Sequence, residues 1–391
     1  MSFKKISSLI AFCYLLPSML YGQDITFHHL TEADGMPKGI ILCFEQDHHG
    51  FLWLGTTDGL YRYDGNEFRA FYHNREDSSS LSNNGIKYIL EDRKGRIWVG
   101  TKLGLNCYLP GEDRFVRYLY EKGDDFESEN YVHNILEDRY GKIWYGTYNG
   151  LFYFDPEKEE LLQFLPQEDN QHSIIGSTIW QVLEDRKGRL WIGTNSGLST
   201  YANDGSFQFE RYEPIFNQDR ALNTERIWAL AEQEDGTIWF GSYNGLYRVD
   251  EGKEPWQFQR FRYKADHQNS LSYNHINSNL IEGNERLWVG TWAGGLNEIH
   301  LSPNDPDSIR FIHHRHQFNN PKSVGYDNIV KVFRDRSEIL WVATTNSLDK
   351  VAPSLNKFNA VLPNPGLEGA LNNETVKSTL RDSRGNLWVG T

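Results

Sequence analysis

The sequence predicts an all-β fold, a seven-bladed β-propeller of four-stranded antiparallel blades plus the start of an eighth repeat. Three observations carry that expectation. The first is a pattern that recurs eight times and reads, in one copy, Ile89-Leu90-Glu91-Asp92-Arg93-Lys94-Gly95-Arg96-Ile97-Trp98-Val99-Gly100-Thr101, then Gly104-Leu105. Its tryptophans are Trp53, Trp98, Trp144, Trp191, Trp239, Trp288, Trp341 and Trp388, so the period runs from 45 to 53 residues. A long period with Gly and Trp at fixed offsets is the mark of propeller blades. The second is composition: 14% aromatic residues favour strands, and 34 glycines suit many tight turns. The third is the lack of any i, i+3, i+4 apolar pattern of helical length in the repeat.

Each unit parses into four strands. The innermost is short and apolar, as in Ile86 to Glu91. An Asp-x-x-Gly hairpin follows, with Asp six residues before the Trp in six copies (Asp47, Asp92, Asp138, Asp185, Asp335, Asp382). Asp can bond its own backbone in a turn and Gly can take positive φ there. The second strand carries the Trp, and the Gly two residues later is expected to let neighbouring blades approach closely. The third starts at a Gly-Leu pair, and the fourth is an aromatic run such as Phe115 to Leu119. One large ring per blade at one strand position reads as filling between stacked sheets, not as a ligand platform. Copy seven is degenerate, with Ala343 and Ser347 in place of two glycines. Two strands compete to complete the last blade, Ile25 to Leu30 and Asn356 to Leu362.

Residues 1–22 read as a signal peptide: Lys4 and Lys5 precede an apolar run too short and interrupted to span a bilayer. Residues 23–365 form the expected propeller, and 366–391 the start of a truncated second one. No second apolar run of membrane length follows. The net charge of -13 argues against a nucleic-acid partner. Cys43 and Cys107 fall in strand-like segments and read as two buried thiols.

The unit Leu-Glu-Asp-Arg-x-Gly-x-Ile/Leu-Trp-x-Gly-Thr-x-x-Gly-Leu resembles the two-component regulator propeller repeat, and the opening Phe27 to Pro37 resembles the usual start of such sensors. The resemblance implies a periplasmic sensor of Bacteroidetes type, commonly with two propellers in series, then a β-sandwich, a membrane helix and a histidine kinase. It implies glycan sensing, with the C-terminal propeller, sandwich and kinase of a full-length sensor as partners and a homodimer as the full-length assembly. No phospho-acceptor His motif, ATP-binding Gly motif or receiver domain occurs in these 391 residues, so no catalysis is expected of this chain. No cofactor is expected either.

Propeller connectivity gives a site. Loops between the second and third strands share a face with those entering the innermost strand, and the Asp-x-x-Gly hairpins lie on the other face. The loop residue four after each Trp varies, and Tyr148, Tyr243 and Trp292 are its aromatic members, beside Asn149 and Asn244. The entries to the inner strands add Asn84, Tyr131, His133, Trp180, Arg226, Trp228, His275 and Asp327. Aromatic faces stack on sugar C–H faces, amides bond hydroxyls, and Arg226 suits an acidic sugar. The expected ligand is therefore an oligosaccharide. The rivals are a propeller glycosidase or lyase, which needs two carboxylates roughly 5–10 Å apart, where Glu225 and Asp327 fall on this face but the sequence gives no reason to pair them, and a protein-interaction propeller. No metal site is expected: His313-His314-Arg315-His316 reads as solvated outer-strand histidines, because adjacent strand residues point to opposite faces.

Overall fold

The computed structural model describes residues 25–30, 35–212, 226–252, 256–302, 308–352, 377–381 and 387–390. Seven four-stranded antiparallel sheets follow one another along the chain, with an additional two-stranded hairpin, Ser378–Arg381 with Leu387–Gly390. Blade two illustrates the unit: Ile86–Glu91, Ile97–Thr101, Gly104–Leu109 and Arg114–Tyr118 pair in that order. The one α-helix among the described residues is the five-residue Phe126–Asn130, which the repeat pattern does not announce. The proposed signal peptide and Asn356 to Leu362 lie outside the described residues.

The N-terminal strand closes the ring. His28–Leu30 pairs antiparallel with Leu348–Val351, so the seventh blade takes its outermost strand from the other end of the chain. Of the two strands competing on sequence grounds, the N-terminal one fills this place.

The Leu-Glu-Asp-Arg motif resolves into a belt on one face. In blade two, Asp92 Oδ1 accepts from the backbone N–H groups of Lys94 and Arg96, and Oδ2 accepts from Trp98 Nε1 at 2.7 Å. The same Asp-to-indole bond recurs at Trp53, Trp144, Trp191 and Trp341. In blade five Gln233 Oε1 takes the place of the Asp and accepts from Trp239 at 3.0 Å. The motif's Glu works between blades. Glu91 accepts from His48 N, Glu137 from Arg93 N, Glu184 from Arg139 N and Glu232 from Arg186 N. The Arg336 N–H reaches Gln46 of blade one in the same way, which carries the belt across the closure. These carboxylates are therefore structural, as the sequence reading supposed, and hold the indoles as well as the turns.

The seven propeller tryptophans are buried between sheets. The following Gly permits that packing: a Cβ on Gly193 would lie 2.8 Å from the Ile227 carbonyl oxygen, and one on Gly146 2.8 Å from that of Ile179. In these two places the inner strand presses its backbone against the preceding blade, and at Gly100, Gly241 and Gly290 its side chains do so. Cys43 and Cys107 are buried free thiols, and burial pushes both up to about 12.

Candidate functional site

Five inner strands shift register one residue after they begin, between Ile41 and Cys43, Ile86 and Tyr88, Ile179 and Gln181, Ile227 and Ala229, and Ile329 and Lys331. Blade six shifts likewise between Ile276 and Ser278. Such a bulge re-aims the unpaired side chain. Here the bulged residues are Leu42, Lys87, Trp180, Trp228, Asn277 and Val330, with His133 at the corresponding place in blade three. One side chain per blade is thereby set at the end of the central channel on the face opposite the Asp hairpins.

The expected aromatic residues meet there in one continuous arc. Tyr131 lies 4.7 Å from Tyr148, and His133 is 4.3 Å from Tyr148 and 4.5 Å from Trp180. Trp180 is 4.1 Å from Trp228, which is 5.4 Å from Tyr243. Tyr243 is 4.0 Å from His275, whose ring stacks on Trp292 at 5.5 Å and 7°. The Trp292 N–H donates to the His275 carbonyl at 3.0 Å, which fixes that stack. Eight rings from blades three to six therefore touch in sequence. Trp292 is the most open of them, 52% exposed. Burial holds His133 at about 3 and His275 at about 4, so both rings are neutral near pH 7; Lys87 adds to the effect at His133.

At its blade-six end the arc walls a cleft of about 760 Å³ lined by Tyr243, His275, Trp292, Tyr263, Tyr273 and Arg315, among others. Sequence reasoning missed the last three. Their only signal was position, in the loop joining an outer strand to the next inner one.

Other expected site residues serve the scaffold. Asn149 Nδ2 donates to Glu129 at 3.2 Å, and Asn244 Oδ1 accepts from Arg262 at 3.1 Å. Asn84 and Asp327 sit two residues before their inner strands and accept from the backbone N–H of His73 and His316. Asn130 and Asn274 do the same for Tyr120 and Tyr263, so this is a repeated cap. Glu225, the other carboxylate considered for hydrolysis, lies outside the described residues. In the histidine run His316 is exposed and His313 and His314 are half-buried, and each ring also has a partner. His313 bonds the Ser270 carbonyl, His314 bonds Glu298, and His316 bonds the Val324 carbonyl. Among the described residues no three His, Cys, Asp or Glu side chains converge on a metal-sized space.

Lys331 is a buried cation with no ion pair or hydrogen bond among the described residues; its Nζ lies 6.0 Å from the Tyr88 ring. Burial lowers its pKa, outweighing the opposing effect of Cys43. The unfolded chain thus holds this proton more tightly than the folded one, so stability rises as pH climbs toward the ordinary lysine value. Lys331→Met is expected to raise stability at pH 7 by on the order of 1 kcal/mol, and to flatten the alkaline rise. Urea denaturation at pH 7 and pH 10 measures both.

A propeller whose blades are latched by Asp–indole and Glu–amide bonds, with an aromatic arc on its opposite face, defines a repeat protein whose two faces differ in chemistry. The chain carries repeats of the family described as "Two component regulator propeller", matched at residues 80–102, 127–149, 173–196, 221–244 and 370–391. It is 37% identical over 78 residues to histidine kinase P4 of Formosa agariphila, a match covering 20% of this chain and 6% of that protein. In fold it is similar to the extracellular domains of two Bacteroides thetaiotaomicron proteins assigned as hybrid two component systems. One superposes with a TM-score of 0.65 at 22% identity, covering 94% of this chain and 44% of that one. The other superposes with a TM-score of 0.66 at 23% identity, covering 94% and 47%. The chain therefore spans less than half the length of these structures.

Proposed function

We propose that this propeller is the ligand-sensing part of a two-component sensor outside the cytoplasm, that it binds an oligosaccharide along the aromatic arc, and that it passes the binding event to a histidine kinase without chemistry of its own. The observation that carries this is the unbroken series of rings from Tyr131 to Trp292 across four blades. A row of neutral, partly exposed rings offers successive platforms to the apolar faces of sugar units, while polar groups at the edges bond hydroxyls. Polar atoms of the arc support the reading too: Trp180 Nε1, Trp228 Nε1 and His133 Nε2 are buried without a hydrogen-bond partner among the described residues. Orphaned polar atoms of that kind are uncommon and gather at functional sites.

Titration calorimetry of the chain against a panel of neutral and acidic oligosaccharides tests the proposal. Binding without turnover is expected, weakened about tenfold by Trp292→Ala, which is about 1.4 kcal/mol. Conversion of a sugar during the titration would sink the non-catalytic reading. Unchanged affinity in the variant would remove the ligand from the arc.

A further inference from the structure

The two ends of the aromatic arc differ in charge. Toward blade six it opens into the cleft beside Trp292. Toward blade two it meets Lys87, the bulged residue of that blade's inner strand, whose Nζ stands 5.3 Å from the centre of the Tyr131 ring. Lys102 belongs to the same corner: its stem packs over Gly85, and its charge acts on the Tyr131 hydroxyl. Arg226, at the entry to blade five, lies with its guanidinium 5.5 Å from the centre of the Tyr243 ring. The charges of Lys87 and Arg226 both act on the Tyr148 hydroxyl, which puts both cations within electrostatic reach of that ring.

None of the three side chains has an ion pair or hydrogen bond among the described residues. On the opposite face the basic groups of Arg93, Lys94, Arg96, Arg139, Lys187 and Arg189 are paired with carboxylates. The chain also carries 53 acidic residues against 40 basic ones, so acceptors are not scarce. Lys87 is the costly member. Its amine is withdrawn from solvent against Tyr131, and burial lowers its pKa with only weak opposition. An unpaired, partly desolvated cation destabilises the fold that holds it. A cation–π contact with one ring offsets part of that cost at most.

We propose that the channel mouth between Lys87, Lys102 and Arg226 is an anion site, taking the carboxylate or sulfate of an acidic sugar whose ring lies against Tyr131 and Tyr148. This rests on the glycan reading for the sugar, but not for the anion. Lys87 supplies a point charge from the channel side. Arg226 supplies a planar pair of donors from the rim, which matches a carboxylate or sulfate edge. Of the three, Lys87 is withdrawn furthest from water, so its contact gains most relative to water.

The test uses the full chain and three probes: inorganic sulfate, trigalacturonate and a neutral galactose trisaccharide. Affinities are read by calorimetry for wild type, Lys87→Met and Arg226→Met. The expected result is that sulfate and trigalacturonate bind, and that each substitution weakens both about tenfold or more, with the neutral trisaccharide unaffected. The unfolding temperature of Lys87→Met is expected to equal or exceed that of wild type, which separates a binding role from a structural one. The anion site is overturned if folded wild type binds neither sulfate nor trigalacturonate, or if both bind the variants as tightly. Neutral-sugar binding that is lost in Trp292→Ala but indifferent to Lys87, with no sulfate bound, keeps the glycan reading and rejects the anion site. Sulfate binding lost in Lys87→Met, with no sugar bound, does the reverse.

Discussion

Asp92→Ala is expected to lower the stability of the propeller by about 3 kcal/mol, read as a shift of the urea midpoint at unchanged slope. One carboxylate there satisfies four donors: the N–H groups of Lys94 and Arg96, the Trp98 indole and the Arg96 guanidinium. Alanine leaves the indole N–H of a fully buried tryptophan without an acceptor, and releases the hairpin that sets the second strand. Two blades show how the loss should scale. In blade five an amide oxygen, that of Gln233, suffices for the indole bond. In blade six the Trp288 Nε1 has no hydrogen-bond partner among the described residues, and the fold tolerates it. Asp92→Asn should therefore retain part of the loss that alanine incurs. Asp185 adds a pH signature. Burial pushes its carboxyl up, but the bonds from Trp191 and from the Arg189 backbone and side chain outweigh this and hold it below the ordinary value. Its contribution is thus fully present above the ordinary carboxylate range and is lost as the pH falls through its lowered one.

How much of this was legible in the sequence follows from what a repeat exposes. Strand positions, blade number and the buried role of the tryptophans could be read because each recurs at a fixed offset, and a fixed offset means a shared environment. The turn role of Asp92 was legible for the same reason, but its bond to Trp98 was not, because six residues of chain hide a contact made across a hairpin. The inter-blade bond from Glu91 to His48 was hidden further, since it joins two copies of the repeat. The face carrying Tyr148, Tyr243 and Trp292 followed from strand direction alone. What the sequence did not reveal is which polar residues on that face are held in scaffold bonds. Asn84 and Asp327 occupy a cap that repeats, yet the residue type changes between Asn and Asp while the loop before it changes length. Lys87 was passed over because it lies inside a strand, and only the bulge turns it to the channel mouth.

Asp349→Ala is expected to loosen the closure of the ring, at a cost of about 3 kcal/mol. Closure rests on three residue pairs, His28 with Lys350, His29 with Asp349 and Leu30 with Leu348. So short a pairing is weak unless side chains fix it. Asp349 is the buried centre: Oδ1 bonds His29 Nδ1 at 2.7 Å, and Oδ2 accepts from Gly325 N at 2.6 Å. His29 Nε2 reaches the Pro321 carbonyl at 3.0 Å, so a single imidazole ties the first strand to both the third strand of its blade and the loop beneath. Phe27 continues the attachment, buried with Trp288, Leu296 and Val324, its N–H donating to the Lys322 carbonyl. Removing the Asp349 carboxylate strands the Gly325 N–H and one imidazole nitrogen at once. Hydrogen exchange should then show the amides of residues 28–30 and 348–351 opening ahead of the other six blades, because each blade's inner sheet is held by its own belt bonds. Uniform exchange across all seven blades would mean that the ring opens as one unit, with the strand pairing and Phe27 carrying the closure without Asp349.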